Sequence, residues 1–411
     1  MNPAIDRRRL LDRLDALAAI GRQPSGACCR LALTDDDRAG RDQVVAWMRA
    51  LGLAVSIDPI GNIFALRAGR RPELAPVMTG SHIDTVRTGG AYDGNLGVLA
   101  GLEVVAALND AAIDTERGLV VAVFTDEEGA RFAPDMLGSL VFVGGLPLDQ
   151  ALAMRSIDGA ILGDELRRIG YAGTAPLGEP LPHAFVELHI EQGPVLDAEG
   201  FRIGAVEDLQ GISWQEIRIR GQSNHAGTTP MRLRHDAGHA AAAISCFVRE
   251  LAREMGGSQV ATVGKVDLVP NLVNVIAAQA TLTVDLRNTD EARLQQAEAR
   301  LAGFLAQLAE SEGVDIACRP LARFEPVRFD GGIAARIEAV ADRHGLARRR
   351  MTSGAGHDAQ MLARVCPTAM IFVPSVGGIS HNPAEHTEPD DLVAGANVLL
   401  GTLLDLCHEE N

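Results

Sequence analysis

Short apolar runs recur along the chain, each closed by glycine or polar residues: Ala75 to Met78, Val120 to Phe124, Phe185 to Ile190 and, much later, Ala369 to Val373. Runs of this length bounded by turn residues predict buried strands. Between the first two, Val98, Leu102, Val105 and Leu108 keep helical spacing, so a helix is expected to start near Asn95. Asp149 to Gly170 reads as helical excursions, and Ala172 to Pro180 as a turn-rich surface stretch. Strands alternating with helices predict an α/β domain whose sheet is covered on both faces.

Near Gly211 the pattern changes. Ile212 to Arg220 ends in apolar/polar alternation and Ala280 to Arg287 alternates throughout, which predicts strands with one buried and one exposed face. A helix is expected over Ala237 to Met255, and Leu294, Ala297, Leu301, Phe304 and Leu308 mark a second. With a last strand over Val314 to Cys318, the order reads β-α-β-β-α-β, the ferredoxin-like pattern. The expected organisation is a discontinuous domain of residues 1–211 and 328–411, with a smaller α+β domain of residues 212–327 inserted into it.

The chemistry gathers where the apolar runs end. The first closes in Thr79-Gly-Ser-His-Ile-Asp-Thr-Val86, followed by Gly90-Ala-Tyr-Asp-Gly-Asn-Leu-Gly97. His82 and Asp93 therefore lie at the carboxyl end of a strand, the edge at which open α/β sheets bind ligands. A neutral imidazole with a carboxylate suits a borderline cation such as zinc, and Asp84 is placed to take the other ring N–H of His82. Alone, the stretch reads equally well as a glycine-rich turn. The second run is followed by Asp126-Glu-Glu-Gly129, the third carries His189, and the fourth precedes Gly377-Gly-Ile-Ser-His-Asn-Pro383. Four such coincidences point to a shared site.

Composition narrows the partners. At 411 residues the chain has room for two cores, and a net charge of -16 makes nucleic acid and anionic membrane poor partners. Arginine supplies nearly all the positive charge, Lys265 being the only lysine. Six cysteines show no Cys-x-x-Cys spacing that could clamp a metal. Met1 to Leu17 reads as an amphipathic helix, not a signal peptide, and no run reaches the roughly 20 apolar residues that span a bilayer. A soluble cytoplasmic protein is the expectation.

From Gly61 to Asp391 the chain resembles the hydantoinase/carbamoylase amidases of the M20 metallopeptidase superfamily, which include N-carbamoyl-L-amino acid hydrolases, β-ureidopropionases and allantoate amidohydrolases. The resemblance rests on the His-x-Asp segment, Glu127-Glu-Gly-Ala-Arg-Phe132, Glu187-Leu-His-Ile-Glu-Gln-Gly-Pro194, Asn224-His-Ala-Gly-Thr-Thr-Pro-Met231, Ser353-Gly-Ala-Gly-His-Asp358 and Gly378-Ile-Ser-His-Asn-Pro383. It implies a metallopeptidase-like domain with a mixed, largely parallel sheet, and an inserted lid or dimerisation domain.

The resemblance also implies two divalent ions. His82 and His189 hold one, Glu128 and His381 the other, and Asp93 bridges them, the arrangement of a two-metal hydrolytic centre. Zinc is the default ion, although nitrogen and oxygen ligands also accept manganese, cobalt or nickel, and one ion can be lost. Neighbours on an extended segment point to opposite sides, so Glu127 and Glu128 take different roles, and Glu127 is then the general base. His225 acts across a homodimer on the developing oxyanion. Arg287 and Asn274 grip a substrate carboxylate, and Gln192 and His357 contact substrate. Ala277 stands where the family often has proline, which bears on the path of that loop. The implied reaction is hydrolysis of an N-carbamoyl (ureido) group on a small carboxylate. Allantoate, a β-ureido acid, a dipeptide, or a binding role without chemistry are the alternatives.

Overall fold

In the computed structural model residues 3–409 are described, so Met1 and Asn2 of the expected first helix lie outside the described residues. That helix runs over Arg7–Ala18, capped by the Asp6 carboxylate and burying Leu10, Leu14 and Leu17. The chain divides into two compact units, Met1–Glu207 with Arg328–Asn411, and Asp208–Val327.

In the larger unit the sheet runs in the order Ala54–Ile57, Ile63–Arg67, Leu119–Phe124, Val77–His82, Ala184–Ile190, Thr368–Val373 and Ile203–Leu209. The four strands from Leu119–Phe124 to Thr368–Val373 are mutually parallel, and the flanking pairings are antiparallel. Every residue of these four strands is buried. Continuous burial explains their unbroken apolar character, since both faces are covered. The helices Asn95–Asp110 and Pro389–Cys407 pack on the sheet and on each other, almost wholly buried in the case of Asn95–Asp110.

A buried ion pair fastens one covering helix to the sheet. Within Asp35–Ala50, Arg41 Nε donates to Asp37 Oδ2 at 2.8 Å, and the same guanidinium reaches the Gly61 carbonyl at 2.7 Å and Thr125 Oγ1 at 3.3 Å. Both side chains are fully buried. Breaking such a pair leaves a charge without its partner, a loss of about 3–5 kcal/mol. Asp37→Ala is therefore expected to lower the urea midpoint far more than a surface Asp→Ala change, and equal midpoints would refute this account of the pair.

The smaller unit is a four-stranded antiparallel sheet in the order Asp315–Phe324, Gly211–Arg220, Gln279–Asn288, Val260–Val269. Helices Ala237–Met255 and Glu291–Glu312 pack against it, and Ile217, Ile219, Leu282, Val284, Ile244 and Leu301 lie in the shared core. The strand order and β-α-β-β-α-β connectivity are those of the ferredoxin-like fold. Its last strand continues to Phe324, six residues past the expected end at Cys318. Pro320 suggests a stop in the sequence, but on an edge strand a missing N–H is tolerated, and the register shifts between Pro320 and Ala322 to absorb it. Lys265 lies on the exposed strand Val260–Val269, paired with Asp267.

Candidate metal centre

Parallel pairing puts the carboxyl ends of the four central strands on one edge of the sheet. Val77–His82 extends further than its apolar run suggests, because parallel pairing with Leu119–Phe124 continues to His82 opposite Phe124. His82 is thus the last residue of a strand, and His189 lies one residue before the end of Ala184–Ile190. Glu127 and Glu128 follow Phe124, His381 lies in the loop after Val373, and Asp93 precedes the helix Asn95–Asp110. Gly94 makes room between them. Its φ of +64° is one that L side chains rarely adopt, and a Cβ there would come within 2.4 Å of the His82 ring.

These side chains form two groups that share one carboxylate. His82, Asp93 and His189 have donor atoms within 4.8 Å of one another, and so do Asp93, Glu128 and His381. His82 Nε2 and His189 Nε2 lie 3.7 and 3.2 Å from Asp93 Oδ1, while His381 Nε2 lies 3.3 Å from both Asp93 Oδ2 and Glu128 Oε2. Donors held about 2.0–2.2 Å from a tetrahedral ion are about 3.3–3.6 Å apart, so the spacing suits an ion in each group. Glu127 Oε2 stands 3.3 Å from His82 Nε2.

Backbone carbonyls set the imidazoles. Nδ1 of His82 and of His189 each pair at 2.9 Å with a carbonyl, those of Asp84 and Ile190, which turns each Nε2 towards the centre, where that of His189 also accepts the Gly94 N–H at 3.2 Å. The partner of His82 is therefore the Asp84 main chain, whereas the sequence suggests its carboxylate, whose Oδ1 is 3.9 Å away. That carboxylate instead accepts from the backbone N–H groups of Glu127 and Glu128, each at 3.3 Å, and so holds the segment that carries both.

The electrostatics call for positive charge. Burial, followed by the nearby Asp358 and Glu128 carboxylates, pushes Glu127 well above the ordinary range. Burial and Asp93 raise Glu128 against the pull of His381, and burial with Asp37 and Glu128 lifts Asp84 to about 8. Burial also works against ionised Asp93, yet hydrogen bonds from His189 and His381 overcome it and hold the carboxyl well below its usual value. His381 rises to about 10 through Asp93 and Glu128; His189 rises to about 9 because Asp93 outweighs its burial. Burial lowers His82 to about 4. The crowd of buried carboxylates raises the proton affinity of His189 and His381, and divalent cations would offset the same negative charge more fully.

A third group, Glu187, His189 and His357, is already committed. Glu187 accepts from Ser81 Oγ at 2.6 Å and from the Ala359 N–H at 2.9 Å, and His357 Nε2 pairs with Ser353 Oγ at 3.1 Å. His357, expected at the substrate, is buried with its ring centroid 4.5 Å from that of His189, so it packs behind a candidate ligand. Gln192, also expected there, has the left-handed φ of +56° and donates to Asp93 Oδ2 at 2.8 Å.

The other candidates belong to the smaller unit. His225 is exposed, and its Nδ1 accepts the Gly227 N–H at 3.0 Å, which assigns the ring proton of the neutral form to Nε2. Asn274 lies beside it, its carbonyl accepting the Ala226 N–H at 3.0 Å. Arg287 lies over the Trp214 ring at 5.9 Å and donates from Nε and Nη2 to Asp285, which holds the guanidinium in a defined plane. His235 and His239, four apart in sequence, do not share a helix, because Asp236 caps the helix that starts at Ala237. The sequence reading passes over Ser380 and Glu385, which stand beside Asp93; the available signal is an acid four residues after His381 in a loop rich in turn residues.

Known proteins resemble this chain over nearly its whole length. The model of peptidase family M20/M25/M40 matches residues 78–405. An N-carbamoyl-L-amino-acid amidohydrolase of Rhizobium meliloti is 41% identical over 404 residues, covering 98% of this chain and 97% of the relative. An allantoate amidohydrolase of Escherichia coli is 35% identical over 408 residues, covering 98% and 99%. A solved amidase of the hydantoinase/carbamoylase family from Burkholderia multivorans, 45% identical, superposes with a TM-score of 0.97 over 100% of both chains. Fold and sequence agree: the chain belongs to the M20 peptidase family, among its hydantoinase/carbamoylase-type amidases.

Proposed function

We propose that this enzyme hydrolyses the C–N bond of an N-carbamoyl group, converting an N-carbamoyl-L-amino acid to amino acid, carbon dioxide and ammonia. The observation that carries the reading is the pair of donor groups sharing Asp93 with Glu127 alongside. Bound there, two divalent ions, zinc by default and manganese, cobalt or nickel as alternatives, would polarise the ureido carbonyl and acidify a water. Glu127 takes the proton of the attacking water and returns it to the leaving nitrogen. His225, with its proton on Nε2, donates to the developing oxyanion.

Arg287 and Asn274 hold the substrate carboxylate, and Gln192 turns from Asp93 towards substrate. Charged hydrogen bonds of this kind contribute about 1.5–3 kcal/mol, so Arg287→Ala should raise KM about 10–100-fold with a smaller effect on kcat. An unchanged KM would remove Arg287 from the carboxylate site.

The supply of His225 by a second subunit is part of the same reading, and in trans it predicts complementation. His225→Ala and Glu127→Gln each lose most activity alone. Mixed after dissociation and reassembly, they should regain activity in hybrids that own one intact centre, and equal inactivity of the mixture counts against action in trans.

Allantoate hydrolysis is the second reading, favoured by the relative of that name. The deciding test is turnover by zinc- or manganese-loaded protein, read as ammonia release from N-carbamoyl-L-amino acids, N-carbamoyl-β-alanine and allantoate and as release of free amino acid from dipeptides. Turnover highest on a carbamoyl amino acid supports the proposal; turnover highest on allantoate or a dipeptide replaces it. No helix among the described residues is long and apolar enough to cross a membrane.

A further inference from the structure

One buried carboxylate beside the centre is used neither as a ligand nor as a base. Glu385 is 7% exposed, and its Oε1 accepts from the backbone N–H groups of Tyr92 at 3.0 Å and of Asp93 at 3.3 Å. Its Oε2 accepts from Ser380 Oγ at 3.1 Å, and the same hydroxyl stands 3.3 Å from Asp93 Oδ2. The turn before Asp93 is wrapped closely around this side chain: a Cβ at Gly90 would come within 2.1 Å of Glu385 Oε1. Glu385 and Asp93 are 292 positions apart in the chain, so these bonds join two loops distant in sequence, alongside one from Thr88 Oγ1 to the His381 carbonyl at 2.9 Å.

The two loops carry different ligands. One presents Asp93, the carboxylate common to both donor groups, and the other presents His381, found only in the second. His381 is the least enclosed of the five, its side chain 49% exposed, and it has the left-handed φ of +53°. Packing alone does not fix so exposed a ring. The connection from Glu385, four residues after His381, passes through Ser380, one residue before it, and ends on Asp93, the carboxylate shared by the two donor groups. We propose that Glu385, with Ser380, is a positioning residue of the metal centre that sets the placement of His381 against Asp93 and so governs binding of the second ion.

The proposal rests on the two-ion reading of the centre and is independent of the substrate. Its test uses Mn(II) alone as probe, with isothermal titration for affinity and electron paramagnetic resonance for the signature of two coupled ions. Partners that orient metal ligands typically account for 10–100-fold in affinity. Glu385→Ala is expected to bind the second Mn(II) about 10–100-fold more weakly, with the coupled signal replaced by that of a single ion. Glu385→Gln keeps an acceptor for the two N–H groups and should recover most of the loss. Ser380→Ala should fall between wild type and Glu385→Ala.

A folded Glu385→Ala that binds both ions as wild type overturns the proposal. Should that variant fail to fold, Ser380→Ala decides, and wild-type second-ion affinity there overturns it equally. Wild-type protein that binds only one Mn(II) overturns the two-ion reading itself, a result distinct from two ions bound alike by wild type and variants.

Discussion

Replacing Asp93 by alanine is expected to abolish ammonia release and to strip both ions from the protein. Asp93 is the only residue common to the two donor groups, with Oδ1 facing His82 and His189 and Oδ2 facing His381. Elemental analysis after desalting should give close to no metal for Asp93→Ala, against one ion for His381→Ala. A thermal readout separates this from misfolding: added zinc should raise the Tm of wild type, because a ligand that binds only the folded state stabilises it, and leave that of Asp93→Ala unmoved. If Asp93→Ala keeps one tightly bound ion, Asp93 is not a bridge.

Glu127→Gln should do the reverse, keeping the metal and losing the chemistry. The substitution preserves shape, and the Glu127 backbone stays anchored to Asp84. What it removes is a carboxylate buried to 7% exposure, 3.3 Å from His82 Nε2, whose affinity for a proton is raised by burial and by Asp358 and Glu128. A base needs a pKa near the working pH, and cations beside it would draw the value down into that range. General acid–base catalysis contributes about 10²–10⁴-fold, so kcat should fall by that factor with little change in KM or metal content. Near-normal turnover by the metal-loaded variant would mean that another group carries the proton.

Much of this centre is visible in the order of residues, because a parallel sheet turns sequence into geometry: whatever follows each buried apolar run arrives at one edge. His82, the Glu127–Glu128 pair, His189 and His381 are drawn together by that rule, while the choice of Glu128 over Glu127 as a ligand comes from the family resemblance and not from the pattern. Asp84 shows its limit, since nothing in a His-x-Asp spacing tells whether the carbonyl or the carboxylate meets the ring, and the structure uses the carbonyl. His357 shows another. A motif says that a histidine is important to a site, but its burial behind His189 depends on packing between segments more than 150 residues apart. Glu385 is hinted at only by its spacing from His381, because its link to Asp93 runs through backbone N–H groups, which no residue type announces. In the smaller unit the alternating pattern identifies two of the strands, Ile212 to Arg220 and Ala280 to Arg287, while the end of the last one depends on its being at an edge, where Pro320 costs little.

The position of Thr368–Val373 in the sheet has a consequence for how the molecule is made. This strand pairs with Ala184–Ile190 on one side and Ile203–Leu209 on the other, yet it leaves the ribosome more than 150 residues after either. During synthesis the inserted ferredoxin-like unit is complete before the strand exists, while the older part of the chain waits with two bare strand edges, the kind of surface on which nascent chains stick to one another. A chain that stops short of Thr368 carries four of the five candidate ligands and neither closes the sheet nor supplies His381. Among the described residues the last strand to be synthesised is thus the one that both protects the sheet and leads into the loop of His381, so the second donor group can form only after the first is complete in the chain.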